Sequence, residues 1–203
     1  MKIVIVDYGM GNIKSIIGAI KYIGLDEISV SNNPAEMRSA DKLLLPGVGS
    51  FFMAVERIKE LKLDRYLEYE IFEKKKPTLG ICLGMQLMGT SSTEDGFNSG
   101  LGFIDAKSTR FSDMGVKTPH VGFNQVKKHK NSRLFCGVKD LSDFYFVHSY
   151  KMTTDNDINQ SLCEYGGNFI ASYEVEHIAG VQFHPELSQT NGLKLLDNFI
   201  KYF

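Results

Sequence analysis

Thr78-Leu79-Gly80-Ile81-Cys82-Leu83-Gly84-Met85-Gln86-Leu87-Met88 decides the fold. Pro77 starts a short apolar run, Thr78 to Cys82, that reads as a buried strand, and Met85-Gln86-Leu87-Met88 reads as helix. Between the two, a cysteine stands in the arrangement G-x-nucleophile-x-G, that of a nucleophile elbow. The nucleophile sits on a tight strand-to-helix turn where a neighbouring side chain would clash, so glycines flank it. Main-chain N–H groups at the helix start, beginning with that of Leu83, then bind a developing oxyanion. The partial positive charge of the helix terminus also favours thiolate over thiol.

The same strand–helix alternation runs upstream. Lys2 to Asp7 is a β-branched apolar run closed by the breakers Gly9 and Gly11, and Ile13, Ile16, Ile17 and Ile20 follow at helical spacing with Gly24 as a stop. Glu27 to Ser31 and Lys42 to Leu45 read as strands, the latter closed by Pro46. Phe51 to Lys59 and Leu61 to Lys74 read as amphipathic helices. Short buried strands separated by helices predict a parallel sheet covered on both faces and doubly wound. From Leu101 to His184 the pattern changes to short strands between Gly, Asn, Asp and Ser clusters, with Phe144 to Tyr150 the strongest and Ile178 to His184 ending at Pro185. Helical spacing returns at Leu196, Phe199, Ile200 and Phe203. With no linker or repeat, residues 1–203 read as one α/β domain whose mostly parallel sheet carries an antiparallel extension.

Composition narrows the class. Hydrophobic residues at 43% and charged residues at 23% are normal for a globular protein and exclude disorder or a collagen-like chain. With 23 basic against 24 acidic residues, the net charge of −1 gives no general attraction to nucleic acid or anionic lipid. The aliphatic runs, such as Ile3 to Val6, are too short to span a bilayer, and the N-terminus enters a strand pattern without a signal-peptide layout. Cys82, Cys136 and Cys163 are odd in number and contain no CxxC pair, so neither a disulfide framework nor a structural zinc site is expected, and a reducing cytoplasm is.

Cys136 and Cys163 lack the glycine context and read as ordinary cysteines. A cysteine nucleophile needs a base and a group that orients it. His184 stands in Gln182-Phe183-His184-Pro185-Glu186 at the end of an expected strand. Residues two apart on a strand share a face, so His184 and Glu186 are expected side by side at the rim where active sites of open α/β sheets collect. Alone, His-Pro-Glu is an ordinary surface turn; with the elbow it completes a triad. Leu45-Pro46-Gly47-Val48-Gly49 is either a simple turn or, opposite Leu83, the other half of an oxyanion hole through main-chain N–H groups at Val48 and Gly49. Tyr8-Gly9-Met10-Gly11-Asn12 is similar to a dinucleotide loop, with Asp26 near ribose distance, but Lys14 occupies the third glycine's place. Lys127-Lys128-His129-Lys130 reads as a solvated loop.

Together these segments resemble the class I (triad) glutamine amidotransferases. Gly80 to Gln86 matches their elbow, Leu43 to Gly49 their oxyanion loop, and Gln182 to Glu186 the rest of their triad. Asp7 to Asn12, Pro119 to Asn124 and Val147 to Tyr150 are similar to blocks of the HisH type within that family, glutaminase subunits of imidazole glycerol phosphate synthase. The resemblance runs from Ile3 to the C-terminal helix. It implies that Cys82 attacks the side-chain amide of L-glutamine, that His184, oriented by Glu186, protonates the departing ammonia, and that water releases glutamate from a thioester. It also implies that Gln86, Ser149, Tyr150 and Glu94 hold the glutamine. Ammonia would pass to a HisF-type (β/α)₈ barrel in a heterodimer that forms imidazole glycerol phosphate and an aminoimidazole carboxamide ribotide. Asn12, His120, Phe123 and Asn124 would face that barrel, and neither metal nor organic cofactor is implied.

One residue departs from the pattern. Phe123 stands where the family block usually has tryptophan, which keeps an apolar ring and loses an N–H donor. That leaves open a HisF-like partner that aminates a sugar for surface polysaccharide. Two other readings are a stand-alone Cys-His amide hydrolase and a binding subunit with a vestigial triad. The intact Cys82, His184 and Glu186 set argues against the last; Gln86 and the His148-Ser149-Tyr150 block favour glutamine.

Overall fold

The computed structural model of the chain describes residues 1–111 and 115–203. The first half alternates as its hydrophobic pattern dictates: β1 (Ile3–Val6), α1 (Ile13–Tyr22), β2 (Ile28–Ser31), α2 (Pro34–Ser39), β3 (Lys42–Leu45), α3 (Phe51–Glu60), α4 (Leu63–Glu68), β4 (Thr78–Ile81) and α5 (Leu83–Leu87). The second half is strand-rich: β5 (Ser91–Ser92), β6 (Asn98–Ser99), β7 (Lys107–Arg110), β8 (His120–Lys127), β9 (Ser142–His148), β10 (Tyr150–Thr153), β11 (Ser161–Glu164), β12 (Asn168–Val175) and β13 (Ile178–Val181), closed by α6 (Gln189–Tyr202).

A nine-stranded sheet has the order β2-β1-β3-β4-β13-β12-β11-β8-β9. Its first five strands pair parallel and the rest antiparallel. Strand alternation explains why both faces must be covered. Ile3 and Ile5 enter one core with Ile16 and Ile20 of α1 and Leu195 and Phe199 of α6, while Val4 and Val6 enter another with Phe51 and Ile58 of α3 and Leu67 of α4. The doubly wound α/β reading with an antiparallel extension is therefore borne out.

Several details differ from the sequence expectation. The stretch read as one helix over Leu61 to Lys74 is α4 followed by a π-helical turn at Tyr69–Glu73. The strand expected over Ile178 to His184 stops at Val181, and that over Phe144 to Tyr150 breaks at Ser149. There the chain leaves the large sheet for a four-stranded one, β10-β7-β5-β6, that the pattern did not reveal.

The tight packing of the elbow has a measurable consequence. A Cβ on Gly84 would lie 1.8 Å from the Leu45 carbonyl oxygen, and one on Gly80 would lie 2.7 Å from Met85 N. The clash at Gly84 is with backbone, which cannot step aside. Gly84→Ala is therefore expected to destabilise the fold by about 3 kcal/mol or more, read as a fall in the denaturant midpoint.

Candidate active site

The parallel strands end on one rim, and the loops beyond β1, β3, β4 and β13 meet there, beside the point where strand order reverses around β1. Cys82 follows β4 with φ 53° and ψ −109°, a backbone region disfavoured for a residue with a Cβ and found chiefly at functional sites. Hydrogen bonds hold it there: its N–H donates to Val181 O at 2.8 Å, and its carbonyl accepts from Gln86 N at 3.3 Å. The sulfur lies 3.9 Å from Val147 O and accepts from Gln182 Nε2 at 3.7 Å. α5 is only five residues long, so the oriented N–H groups of its first turn, rather than a long helix dipole, are its contribution to the site.

His184 and Glu186 are together, by a different route from the one expected. His184 lies three residues beyond β13, and Pro185–Leu187 form a 3₁₀ turn that folds Glu186 back toward the imidazole. His184 Nδ1 donates to Glu186 Oε1 at 2.8 Å, and the Glu186 side chain is wholly buried. Burial alone would depress the His184 pKa. The Cys82 sulfur and the Glu186 carboxylate override it and raise the pKa to about 10, so the ring is cationic at neutral pH. With Nδ1 committed to Glu186, the interaction with the Cys82 sulfur falls to the buried Nε2.

A cavity of roughly 340 Å³ opens on these groups. Cys82, His184, Leu83, Val48, Gly49, Gln86, Glu94, Ser149 and Tyr150 all line it, with Pro119, Val147 and His148 in addition. Gln86 Nε2 uses both protons, on Tyr150 O at 3.0 Å and on Gln182 Oε1 at 2.8 Å. Glu94 has a second role, because its carboxylate accepts from Phe51 N at 2.9 Å in the first turn of α3. Its pKa is raised, chiefly by burial. The loop after β3 is turned so that Gly47 O accepts from Leu83 N–H at 3.4 Å, and the Tyr8 hydroxyl donates to Pro46 O. One expected oxyanion donor is thus engaged inside the protein.

Three of the four residues expected to face a partner make hydrogen bonds inside the protein. Asn12 Nδ2 donates to Glu186 Oε1 at 3.1 Å, placing it behind the His–Glu pair. His120 and Asn124 lie on the face of β8 opposite Phe123, because a strand alternates. His120 is 3% exposed and Phe123 is 49% exposed. Phe123 pairs across the strands with Tyr145, ring edge to face at 5.4 Å, and Val121 pairs with Val147. The loop similar to a dinucleotide site is likewise occupied: Gly11 packs against the Pro46 ring, where a Cβ would come within 3.0 Å. Gln182 and Tyr8 were not singled out by sequence reasoning. A glutamine inside the buried run before His184 was the available signal.

Behind the cavity, His120 Nδ1 and His148 Nε2 are 3.0 Å apart. Burial depresses the pKa of His120 to about 4 and of His148 to about 3. Both rings stay neutral in the fold but take a proton below about pH 6.5 when unfolded. The unfolded chain then binds more protons, so this contribution to stability is lost as pH falls from 6.5 toward 4. His184 acts oppositely, its contribution being complete below 6.5 and lost as pH rises toward 10. The melting midpoint is expected to fall between pH 7 and pH 5, and to fall less steeply in His120→Gln.

The comparisons with known proteins agree with this geometry. A family model described as glutamine amidotransferase class-I matches residues 4–202. Imidazole glycerol phosphate synthase subunit HisH 1 of Campylobacter jejuni (strain RM1221) is 44% identical over 98% of this chain and 99% of its own. Subunit HisH 2 of Vibrio vulnificus (strain YJ016) is 45% identical over 100% of this chain and 95% of its own. Among solved structures, PurLQS from Thermotoga maritima superimposes with a TM-score of 0.75 at 16% identity, covering 99% of this chain and 98% of that one, a likeness of fold. A family match over nearly the whole length, full-length relatives and a buried His–Glu pair beside a cysteine elbow lead to one conclusion: this chain belongs to the class I glutamine amidotransferase family.

Proposed function

We infer that the chain hydrolyses L-glutamine to glutamate and ammonia and supplies the ammonia to imidazole glycerol phosphate synthesis, as a HisH-type subunit. The observation that carries the chemistry is the meeting of Cys82, on its strained elbow, with a cationic His184 held by Glu186 in one cavity. The Cys82 thiolate adds to the side-chain amide carbon. The oxygen takes the negative charge and is held by the Leu83 N–H and an N–H at Val48 or Gly49. His184 gives its Nε2 proton to the amide nitrogen as the C–N bond breaks, so ammonia leaves and a glutamyl thioester remains. Neutral His184 then takes a proton from water, hydroxide adds to the thioester, and glutamate departs from the thiolate. Gln86, Ser149, Tyr150 and Glu94 line the space for the amino-acid end.

The resting loop supports a control step. Leu83 N–H is engaged by Gly47 O, so the loop must turn before that donor can serve an oxyanion. The isolated chain should therefore be nearly idle, and a partner carrying its own ligand should bias the loop toward the turned form. The partner-facing surface we propose is the pair of cross-strand contacts, Phe123 with Tyr145 and Val121 with Val147, in which Phe123, Val121 and Val147 are exposed, beside the cavity rim formed by Val147. Its occupant is a HisF-type (β/α)₈ synthase, with ammonia passing between the two active sites. The second partner to be tested is a sugar-aminating barrel of the same type, because Phe123 departs from the usual tryptophan of the block. Among the described residues no helix is long and apolar enough to cross a membrane.

Ammonia release from glutamine, measured with and without the imidazole-forming barrel and its ligand, tests the reading. Strong stimulation by that barrel supports it, and full activity of the isolated chain would contradict the control step. Stimulation only by a sugar-aminating barrel would favour the second partner, and no ammonia under any condition would overturn the glutaminase itself.

A further inference from the structure

β9 ends at His148 and β10 begins at Tyr150, so these residues flank the point where the chain passes from one sheet to the other. The Tyr150 side of that step lines the cavity, and its carbonyl is tied down by side chains. His148 Nδ1 is 2.7 Å from Tyr150 O, and Gln86 Nε2 is 3.0 Å from the same oxygen. A carbonyl can only accept, so His148 carries its proton on Nδ1. The ring is neutral, which leaves Nε2 as an acceptor. His120, 3.0 Å away, must therefore donate from its own Nδ1, and its Nε2 must accept. The far end of the chain agrees independently. Asn124 Nδ2 lies 3.4 Å from His120 Nε2 and donates to Glu164 O at 3.1 Å, while Asn124 Oδ1 accepts from Gln125 N at 2.8 Å.

The row of hydrogen bonds thus has one possible direction, from Asn124 through two histidines to the Tyr150 carbonyl. It continues to the sulfur. With both Gln86 protons committed, Gln182 must accept through Oε1 and turn its Nε2 toward Cys82 Sγ. Gln86 keeps only its Oε1 for a ligand. The histidine pair is buried and takes no part in the bond-making steps above.

We propose that His148 is a positioning residue: its Nδ1–H, with the tautomer fixed by His120, holds the Tyr150 carbonyl and through it sets the Gln86 side chain for substrate. The consequence for glutamine rests on the glutaminase reading. Losing the N–H would leave Tyr150 O with one donor and free residues 149–150 to shift at the break between sheets. Substrate binding would weaken while the Cys82, His184 and Glu186 set stays in place.

Two substitutions separate positioning from simple packing, because an asparagine amide falls near the place of Nδ1 and a glutamine amide near that of Nε2. His148→Asn retains a donor for Tyr150 O and loses the acceptor for His120; His148→Gln does the reverse. In the assay with the barrel partner, His148→Asn is expected to keep KM for glutamine within about threefold of the parent, and His148→Gln to raise it about tenfold with a smaller change in kcat. Thermal midpoints should rank the other way, with the Gln variant the more stable. Equal KM values, or the same ranking in both properties, would overturn the proposal. Ring-nitrogen NMR shifts of the full chain supply a readout independent of turnover. A proton on Nδ1 of both histidines supports the inference, and one on Nε2 of His148 contradicts it. Absence of turnover in the parent chain would count against the glutaminase reading, and the nitrogen shifts would then decide the positioning claim alone.

Discussion

Cys82→Ala is expected to abolish glutamine hydrolysis, lowering kcat by about four orders of magnitude or more, while the melting midpoint stays within a few degrees of the parent. The reason is chemical. Glutamine cleavage through a thioester needs an atom that adds to the amide carbon and later leaves it, and alanine has none. The structural cost is small. Besides the His184 ring, the sulfur makes long contacts to Val147 O and Gln182 Nε2, and alanine fits the same small space with the same tolerance for φ 53° as any residue bearing a Cβ. Cys136 and Cys163 offer no substitute. Cys136 is exposed, and burial pushes the pKa of the Cys163 thiol up to about 12. Comparable turnover in the alanine variant, measured by glutamate formation, would refute the mechanism.

His184→Ala is expected to be nearly as damaging. The ring supplies the proton that lets ammonia leave and removes the one that activates water, and among the described residues that line the cavity no other side chain is set to do both. His148 lines the same cavity, but burial keeps its pKa near 3, so it is neutral at working pH and spends its Nδ1–H on Tyr150 O. A Cys82→Ala, His184→Ala double variant should be no worse than Cys82→Ala, because members of such a unit lose their effect together. Glu186→Gln should cost less than either, since the amide oxygen can still accept from His184 Nδ1. Steady-state kinetics of the three single variants and the double one check these rankings; additive losses in the double variant would break the link between the two groups.

Much of this was legible in the sequence because the elements concerned are local. β3 falls on Lys42–Leu45, as the apolar run before Pro46 requires, and the elbow follows from two glycines whose added Cβ atoms would meet backbone. The helix α2 was missed although its signal is present: Asn33 caps it by accepting from Ala35 N at 2.8 Å, and Pro34 occupies its first turn. The four-stranded sheet was missed for a different reason. β5 and β6 are two residues each, Ser-Ser and Asn-Ser, and carry no hydrophobic period. The His184–Glu186 contact was expected from strand alternation and arises from a 3₁₀ turn instead, because Pro185 starts a turn as readily as it ends a strand. The hydrogen bonds that Asn12, His120 and Asn124 make inside the protein were not legible, because tertiary pairing decides them. A motif block does not say which face of β8 each residue takes, and only the register with β9 puts His120 opposite His148.

Quenching the working enzyme in acid during turnover and looking for glutamate bound to protein by mass spectrometry tests the thioester at Cys82 directly. One glutamyl group is expected on the peptide that contains Cys82, released by hydroxylamine as a thioester should be and absent from Cys82→Ala. Turnover with no adduct on any peptide, or an adduct on Cys136 or Cys163 instead, would contradict it.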